Sequence, residues 1–209
     1  MLIHPWDEAT RDEWQGVLAR ADFGQLITAG HVDGFPVVVP THFLYDGEDT
    51  VLLHLARPNP VWRALDADPH VVLALTDDYT YVEAEWNADA GSDPSYGVPT
   101  SYYTGIQLLC RAEVVDDPEE KAAILTAQLA HFEPADSGRV APSPANESDR
   151  RVLPGIRGLR LHVEGVRAKM KYGGNKTPEH RHQIADHLAE RDGPMDAAAR
   201  GHLLRRLGE

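Results

Sequence analysis

The sequence holds a single cysteine in 209 residues, Cys110, which excludes an intramolecular disulfide and any site built from several thiolates. Cys110 falls inside an alternating, strand-like run, where it reads as core filler rather than a reactive thiol. Cations are scarce as well: 20 Lys and Arg face 33 Asp and Glu, for a formal net charge of -13. Such a chain repels polyphosphate backbones, so direct nucleic-acid binding is not expected. No apolar run approaches the roughly 20 residues of a bilayer span. Met1 to Glu8 also lacks a basic start followed by an apolar stretch. A soluble, cytoplasmic protein without a membrane partner is expected. A Gly-rich phosphate loop, an HExxH pair and a nucleophile elbow are all missing, which argues against a dinucleotide fold, a zinc protease and a serine hydrolase.

What the chain does have is a succession of short β-rich runs. Thr10 to Glu13 reads as a capping box opening an amphipathic helix with Trp14, Val17, Leu18 and Ala21. Phe23 to Ala29 and Phe35 to Tyr45 follow as strands joined through Gly30 to Gly34, and a turn at Asp46 to Asp49 leads into Val51 to Ala56. Val71 to Thr76 and Tyr79 to Trp86 are expected as two strands separated by a turn at Asp77-Asp78. Asn87 to Thr100 is loop-like, and Tyr102 to Val115 puts Ile106, Leu108, Cys110, Ala112 and Val114 on one face. Asp117-Pro118 caps a helix carrying Leu125, Leu129 and Phe132, and Glu133 to Pro154 reads as a surface linker. Ile156 to Lys171 is a last strand whose apolar parity changes near Glu164-Gly165, as a bulge requires. Thr177-Pro178 opens a helix through about Arg191, and a short final helix follows Gly193-Pro194. Successive short strands without a helix between each pair predict a mainly β (α+β) fold. It is read as an antiparallel split β-barrel with peripheral helices, one domain over 1–209 with a C-terminal helical extension over 177–209.

Leu52 to Leu65 carries the clearest chemical signal. It runs from a strand directly into a helix, with Asn59 suited as N-cap and Pro60 as first helical residue. Free amides at such a helix start, with the Arg57 guanidinium just before it, make an anion cradle; a plain strand-helix junction with a surface arginine is the alternative.

Four stretches resemble the PaiB-type FMN-binding proteins of the flavin split-barrel superfamily: Val39 to Phe43, His54 to Trp62, Val98 to Tyr103, and the lysine-bearing strand Gly165 to Lys171. The resemblance implies FMN as cofactor and assigns it twelve residues. Pro40, Thr41 and His42 would lie along the isoalloxazine ring, and His54 would point to it from the next strand. Arg57, Asn59 and Trp62, with Ala56 beside them, would hold the phosphate and its helix. Thr100 and Tyr102 would close the pocket, and Lys169 or Lys171 would add positive charge. It further implies a homodimer, a small-molecule substrate and a nicotinamide cofactor, NAD(P)H, as electron donor. The alternative it offers is a non-catalytic regulator acting on transcription indirectly. The chain departs from the family at Ser101 to Tyr103, where Trp-Asn-Tyr is usual, and at Gly173 to Lys176, where Ser-Gln-Asn is usual.

Other constellations read more plainly. His180, His182 and His187 share a helix with Glu179 and Asp186 but do not face one way, so a solvated face is preferred to a metal patch. Haem is a lesser alternative to FMN, with no ligand singled out. Glu83 and Glu85 would share one side of a strand as an acid-base pair or as exposed carboxylates. Tyr79, Tyr81, Tyr102 and Tyr103 suit half-buried packing or ring stacking.

Overall fold

The computed structural model describes residues 1–89 and 91–207. Ala90, within the expected loop, and residues 208 and 209, at the end of the expected extension, lie outside the described residues. Helix α1 (Arg11–Leu18) is followed by β1 (Phe23–Val32), β2 (Phe35–His42), β3 (Leu44–Tyr45), β4 (Thr50–Ala56) and the short α2 (Val61–Ala67). Next come β5 (His70–Val82), β6 (Thr100–Val115), α3 (Pro118–Phe132), α4 (Glu147–Val152), β7 (Ile156–Lys171), α5 (Pro178–Arg191) and α6 (Asp196–Arg205). The strands form a mainly antiparallel seven-stranded sheet of order β2-β1-β5-β6-β7-β4-β3. Its ladder ends at β2 and at β3, so the sheet is not closed. Among the described residues, no helix is long and apolar enough to cross a membrane.

Where local punctuation is decisive, expectation and structure agree. Asp117 Oδ1 accepts from the Glu119 and Glu120 amides at 2.9 and 3.0 Å, capping α3. Thr177 caps α5 by accepting from His180 N–H at 3.3 Å. Elsewhere tertiary context rules. The first hairpin turns on Asp33-Gly34 alone, both at positive φ (55° and 85°), a two-residue turn that fits the strand twist. Gly30 therefore sits in β1, where a Cβ would lie 2.0 Å from the Ala64 carbonyl oxygen of α2; the glycine serves close helix-strand packing, not the turn. Phe43 interrupts the expected second strand, and its side chain is 1% exposed. Asp77-Asp78 does not reverse the chain: β5 is continuous, Asp78 has φ 49°, and the inward parity switches from Val71, Leu73 and Leu75 to Thr80 and Val82. A bulge-like kink has the same sequence signature as a turn. Glu83 and Glu85 do not share a strand, because β5 stops at Val82 and Glu85 begins a 3-10 turn. The expected linker over 133–154 contains α4, whose buried Asp149 accepts from Arg139 at 2.8 Å and from the Ser143 amide at 3.1 Å. Nor does α3 bury Leu125, Leu129 and Phe132; its buried residues are Lys121, Ala122, Ile124 and Gln128.

The chain divides into two compact units. One comprises Met1–Arg11, Thr76–Ile106 and Ala168–Glu209, the other Asp12–Leu75 and Gln107–Arg167. In the first, α5 and α6 are tied down by a buried polar network. Tyr172 stacks on His202 with centroids 4.4 Å apart, its hydroxyl donates to the Asp78 carbonyl at 3.2 Å, and His202 Nε2 meets Asp78 Oδ2 at 2.6 Å. Asp196, 2% exposed, accepts from Arg191 at 2.7 and 2.8 Å, from Thr80 Oγ1 at 2.5 Å and from Gly193 N–H at 2.9 Å. In the second unit, β4 and β7 pair antiparallel from Thr50↔His162 to Ala56↔Ile156, burying Val51, Leu53, Leu159 and Leu161. Cys110, buried there as expected, has its thiol pushed up to about 12 by burial and by Glu164, which leaves it unreactive near neutral pH.

The Arg191 guanidinium, aided by Thr80 and the Gly193 amide against the cost of burial, lowers the Asp196 carboxyl from 3.8 to about 2. A carboxyl depressed in the fold stabilises it above the unfolded value and loses that contribution as pH falls. Asp196 thus supplies about 2 kcal/mol that disappears between pH 3.8 and 2. Asp196→Asn should lower stability at neutral pH and flatten the acid limb of a denaturation-midpoint-versus-pH curve; an unchanged acid limb would remove Asp196 from that role.

Candidate functional site

Eight of the twelve expected cofactor residues lie in the second unit and four in the first. In the second unit the turn from β4 into α2 is locked by backbone and side chain together. Arg57 N–H donates to the Gly155 carbonyl at 2.8 Å, Asn59 N–H to Ala56 O at 3.0 Å, and Trp62 Nε1–H to the same Ala56 oxygen at 3.0 Å. The helix starts at Val61, one residue later than expected. Asn59 Oδ1 accepts from Val61 N–H at 3.0 Å, so the asparagine holds the turn from two residues before the amide it caps.

The Arg57 side chain is not free. Its Nε donates to the Pro154 carbonyl at 2.6 Å and its two terminal nitrogens fork onto Asp116, Nη1 reaching Oδ2 at 3.2 Å. Lys121 Nζ lies 3.4 Å from Asp116 Oδ1 and Arg157 Nε 3.3 Å from Oδ2. The Arg57 guanidinium, joined by Arg157 and Lys121, holds the Asp116 carboxyl below its ordinary 3.8. Three cations on one carboxylate leave an excess of two positive charges. Arg157 also covers the Trp62 ring at 5.5 Å, and Lys121, 3% exposed, donates to the Leu153 and Ile156 carbonyls at 2.9 and 3.3 Å.

Pro40, Thr41 and His42 end β2, where Pro40 pairs with Gln25 and Thr41 with Gly24 of β1. The His42 ring lies edge-on to His54 (5.5 Å between centroids) and to Phe132 (5.1 Å). His54 Nδ1 lies 2.6 Å from Gln128 Oε1, which fixes the ring beside His42. Burial lowers the His42 pKa, and His54 lowers it further against an upward pull from Asp22, so near neutral pH His42 is an uncharged donor-acceptor. The second unit therefore presents two features, an imidazole pair and a cation cluster.

Thr100, Tyr102, Lys169 and Lys171 gather at one cavity of the first unit, about 320 Å3 in volume, joined there by Lys176. Sequence reasoning missed Asp116, Lys121, Arg157 and Gln128. Asp116 sits next to the cap of α3, but its partner Arg57 is 59 residues away in sequence, and no local pattern marks that contact. The histidines of α5, read as a solvated face in preference to a metal patch, are partly used in packing: His180 is buried with Nε2 2.9 Å from the Trp86 carbonyl, and His187 stacks on Trp86.

On an open, mainly antiparallel sheet with peripheral helices, the second unit thus carries an imidazole pair and a cluster of cations. Residues 1–165 match the family described as "Putative FMN-binding domain", and the chain belongs to that family. It is 23% identical over 180 residues to the Protease synthase and sporulation protein PAI 2 of Bacillus subtilis (strain 168), covering 82% of this chain and 81% of that one. The PaiB-type resemblance of the motifs thus extends over most of the chain. Among solved structures, the FAD and Heme binding protein from Mycobacterium smegmatis is similar with a TM-score of 0.60 at 18% identity, covering 82% of this chain and 76% of that one. The Flavocytochrome Anf3 from Azotobacter vinelandii is similar with a TM-score of 0.56 at 19% identity, covering 81% and 75%. At these identities the structures share the fold.

Proton NMR titration should place the His42 pKa below 6.5 and should find it raised in His54→Gln, where the neighbouring imidazole is gone. An unshifted His42 in that variant would contradict the coupling.

Proposed function

We propose that this protein holds FMN and uses it to oxidise or reduce a small molecule. The observation that carries the reading is the cluster of Arg57, Lys121 and Arg157 around Asp116, beside α2 and within the matched stretch of a family of FMN-binding domains. Its surplus of two positive charges suits a phosphate dianion. The charge rests on two guanidinium groups and an ammonium, because the first amide of α2 is taken by Asn59.

Arg57, with Arg157 and Lys121 behind it, would bind the phosphate; Asn59 and Trp62 hold the β4-α2 turn so that Arg57 stays in place. His42, kept uncharged by burial and by His54, would offer hydrogen bonds to the polar edge of the ring. Pro40 and Thr41 bring that histidine to the end of β2. Bound FMN supplies the electron-transfer chemistry, and the protein supplies binding, orientation and exclusion of water. A nicotinamide cofactor is the donor we expect. The M. smegmatis and A. vinelandii proteins, by their own descriptions, bind FAD and haem or are flavocytochromes, which favours a redox reading of this fold over a regulatory one.

Titration of flavin-free protein with FMN, followed by flavin fluorescence, tests the assignment. Arg57→Ala should weaken binding about tenfold or more, as loss of a charge-assisted pair does. Asp116→Asn, which removes the competing carboxylate, should bind at least as tightly as the parent. Arg57→Ala binding with unchanged affinity would take the phosphate away from this cluster.

A further inference from the structure

The cavity of the first unit is built as a site of its own. Two of its lysines are answered internally. Lys169 Nζ donates to the Leu2 carbonyl at 3.0 Å and lies 3.6 Å from Asp7 Oδ2, and Lys176 Nζ reaches the Asn87 carbonyl and Asp89 Oδ1, each at 3.2 Å. Lys171 has no carboxylate at ion-pair distance among the described residues; its Nζ donates to Thr100 Oγ1 at 2.6 Å. A half-buried ammonium without an ion pair is costly in any protein and stands out in one of net charge -13. Burial, and then Lys169, lower the Lys171 pKa against an upward pull from Asp7, a cavity-lining carboxylate that stands nearer Lys169.

A second, independent feature points the same way. Tyr102, 2% exposed, is among the residues that line this cavity, and its hydroxyl has no hydrogen-bond partner among the described residues. Burial raises its pKa, so the group stays a proton donor. Buried hydroxyls are rarely left unpaired, and one in a residue that shares a cavity with Lys171 is a donor awaiting an acceptor. The backbone makes room for it. Gly173 has φ 65°, and a Cβ there would stand 2.6 Å from the Tyr102 oxygen; a Cβ at Gly174 would stand 2.2 Å from the Trp6 carbonyl oxygen.

We propose that this cavity binds a compact oxyanion, the phosphate or carboxylate group of a small-molecule substrate, with the Lys171 ammonium and the Thr100 and Tyr102 hydroxyls as donors. The volume of about 320 Å3 is at the small end of ligand pockets and suits such a group with a short organic body. The flavin phosphate has the same chemistry, and the experiment separates the two sources.

Full-length protein, first supplied with excess FMN so that the Arg57 cluster is filled and then freed of unbound flavin, is titrated with inorganic phosphate by calorimetry at an ionic strength fixed with chloride. One site per chain is expected in the parent. Lys171→Gln should bind phosphate at least about tenfold more weakly and Tyr102→Phe several-fold more weakly. Tyr102→Phe loses only an orphaned hydroxyl, so without phosphate its melting temperature should equal or exceed the parent's, which keeps the test decisive if Lys171→Gln fails to fold. Flavin content should be the same in all three. Absence of phosphate binding in the parent, equal affinities in parent and variants, or loss of flavin from a folded variant would overturn the proposal, the last by giving the cavity to the cofactor. A parent that takes up no added FMN yet binds phosphate, with both variants impaired, would sink the flavin reading and leave this one standing.

Discussion

The register between β4 and β7 is the constraint on which the candidate phosphate site depends. The pairs from Thr50↔His162 to Ala56↔Ile156 bury Leu53 and Leu159 and deliver Arg57 to the Gly155 and Pro154 carbonyls. A slip of one residue would turn Leu53 outward and carry Arg57 off its acceptors. The same ladder puts Arg157 within reach of Asp116 and lets Lys121 satisfy itself on the Leu153 and Ile156 carbonyls. Hydrophobic pairing thus sets the register, and the register concentrates the charge. Close packing at Gly30 supports it from the other side, since α2 can carry Trp62 against the Ala56 carbonyl only where the helix approaches β1 without a Cβ between them.

What could be read from the sequence was what is local. Asp117-Pro118 and Thr177-Pro178 announce helices because a capping oxygen, a first-turn proline and the amides they serve lie within four residues. The alternation of β6 is equally self-contained from Ile106 to Ala112 but fails at Val114, which is 40% exposed while Val115 is buried. Asp77-Asp78 misled because aspartate suits a turn and a left-handed kink inside a strand alike, and only the burial of both flanks decides between them. The face of α3 misled for a related reason. Leu125 and Leu129 are the more apolar positions, but Lys121 is the residue with backbone carbonyls waiting for its ammonium, and its burial rotates the helix accordingly.

The candidate site divides along the same line. His54 to Trp62 could be picked out because a strand, an arginine, an Asx turn and a helix follow one another in sequence. Its electrostatics could not, because Asp116 and Arg157 arrive from distant segments and convert a lone guanidinium into a cluster. In the first unit the lysines of β7 were visible, whereas the orphaned Tyr102 hydroxyl and the missing counter-charge at Lys171 are properties of the folded chain alone. Both places concentrate positive charge in an acidic protein. Such local excess survives only where the fold forces it, and a ligand of opposite sign is the simplest account of both.

The central claim is that this chain is a flavoprotein of the FMN-binding family in function as well as in descent. Heat denaturation of the purified protein, with the released small molecule identified by absorbance and mass, is the most direct measurement. The account predicts FMN at about one per chain after reconstitution; a protein that releases no flavin and takes up none when FMN is added would contradict it.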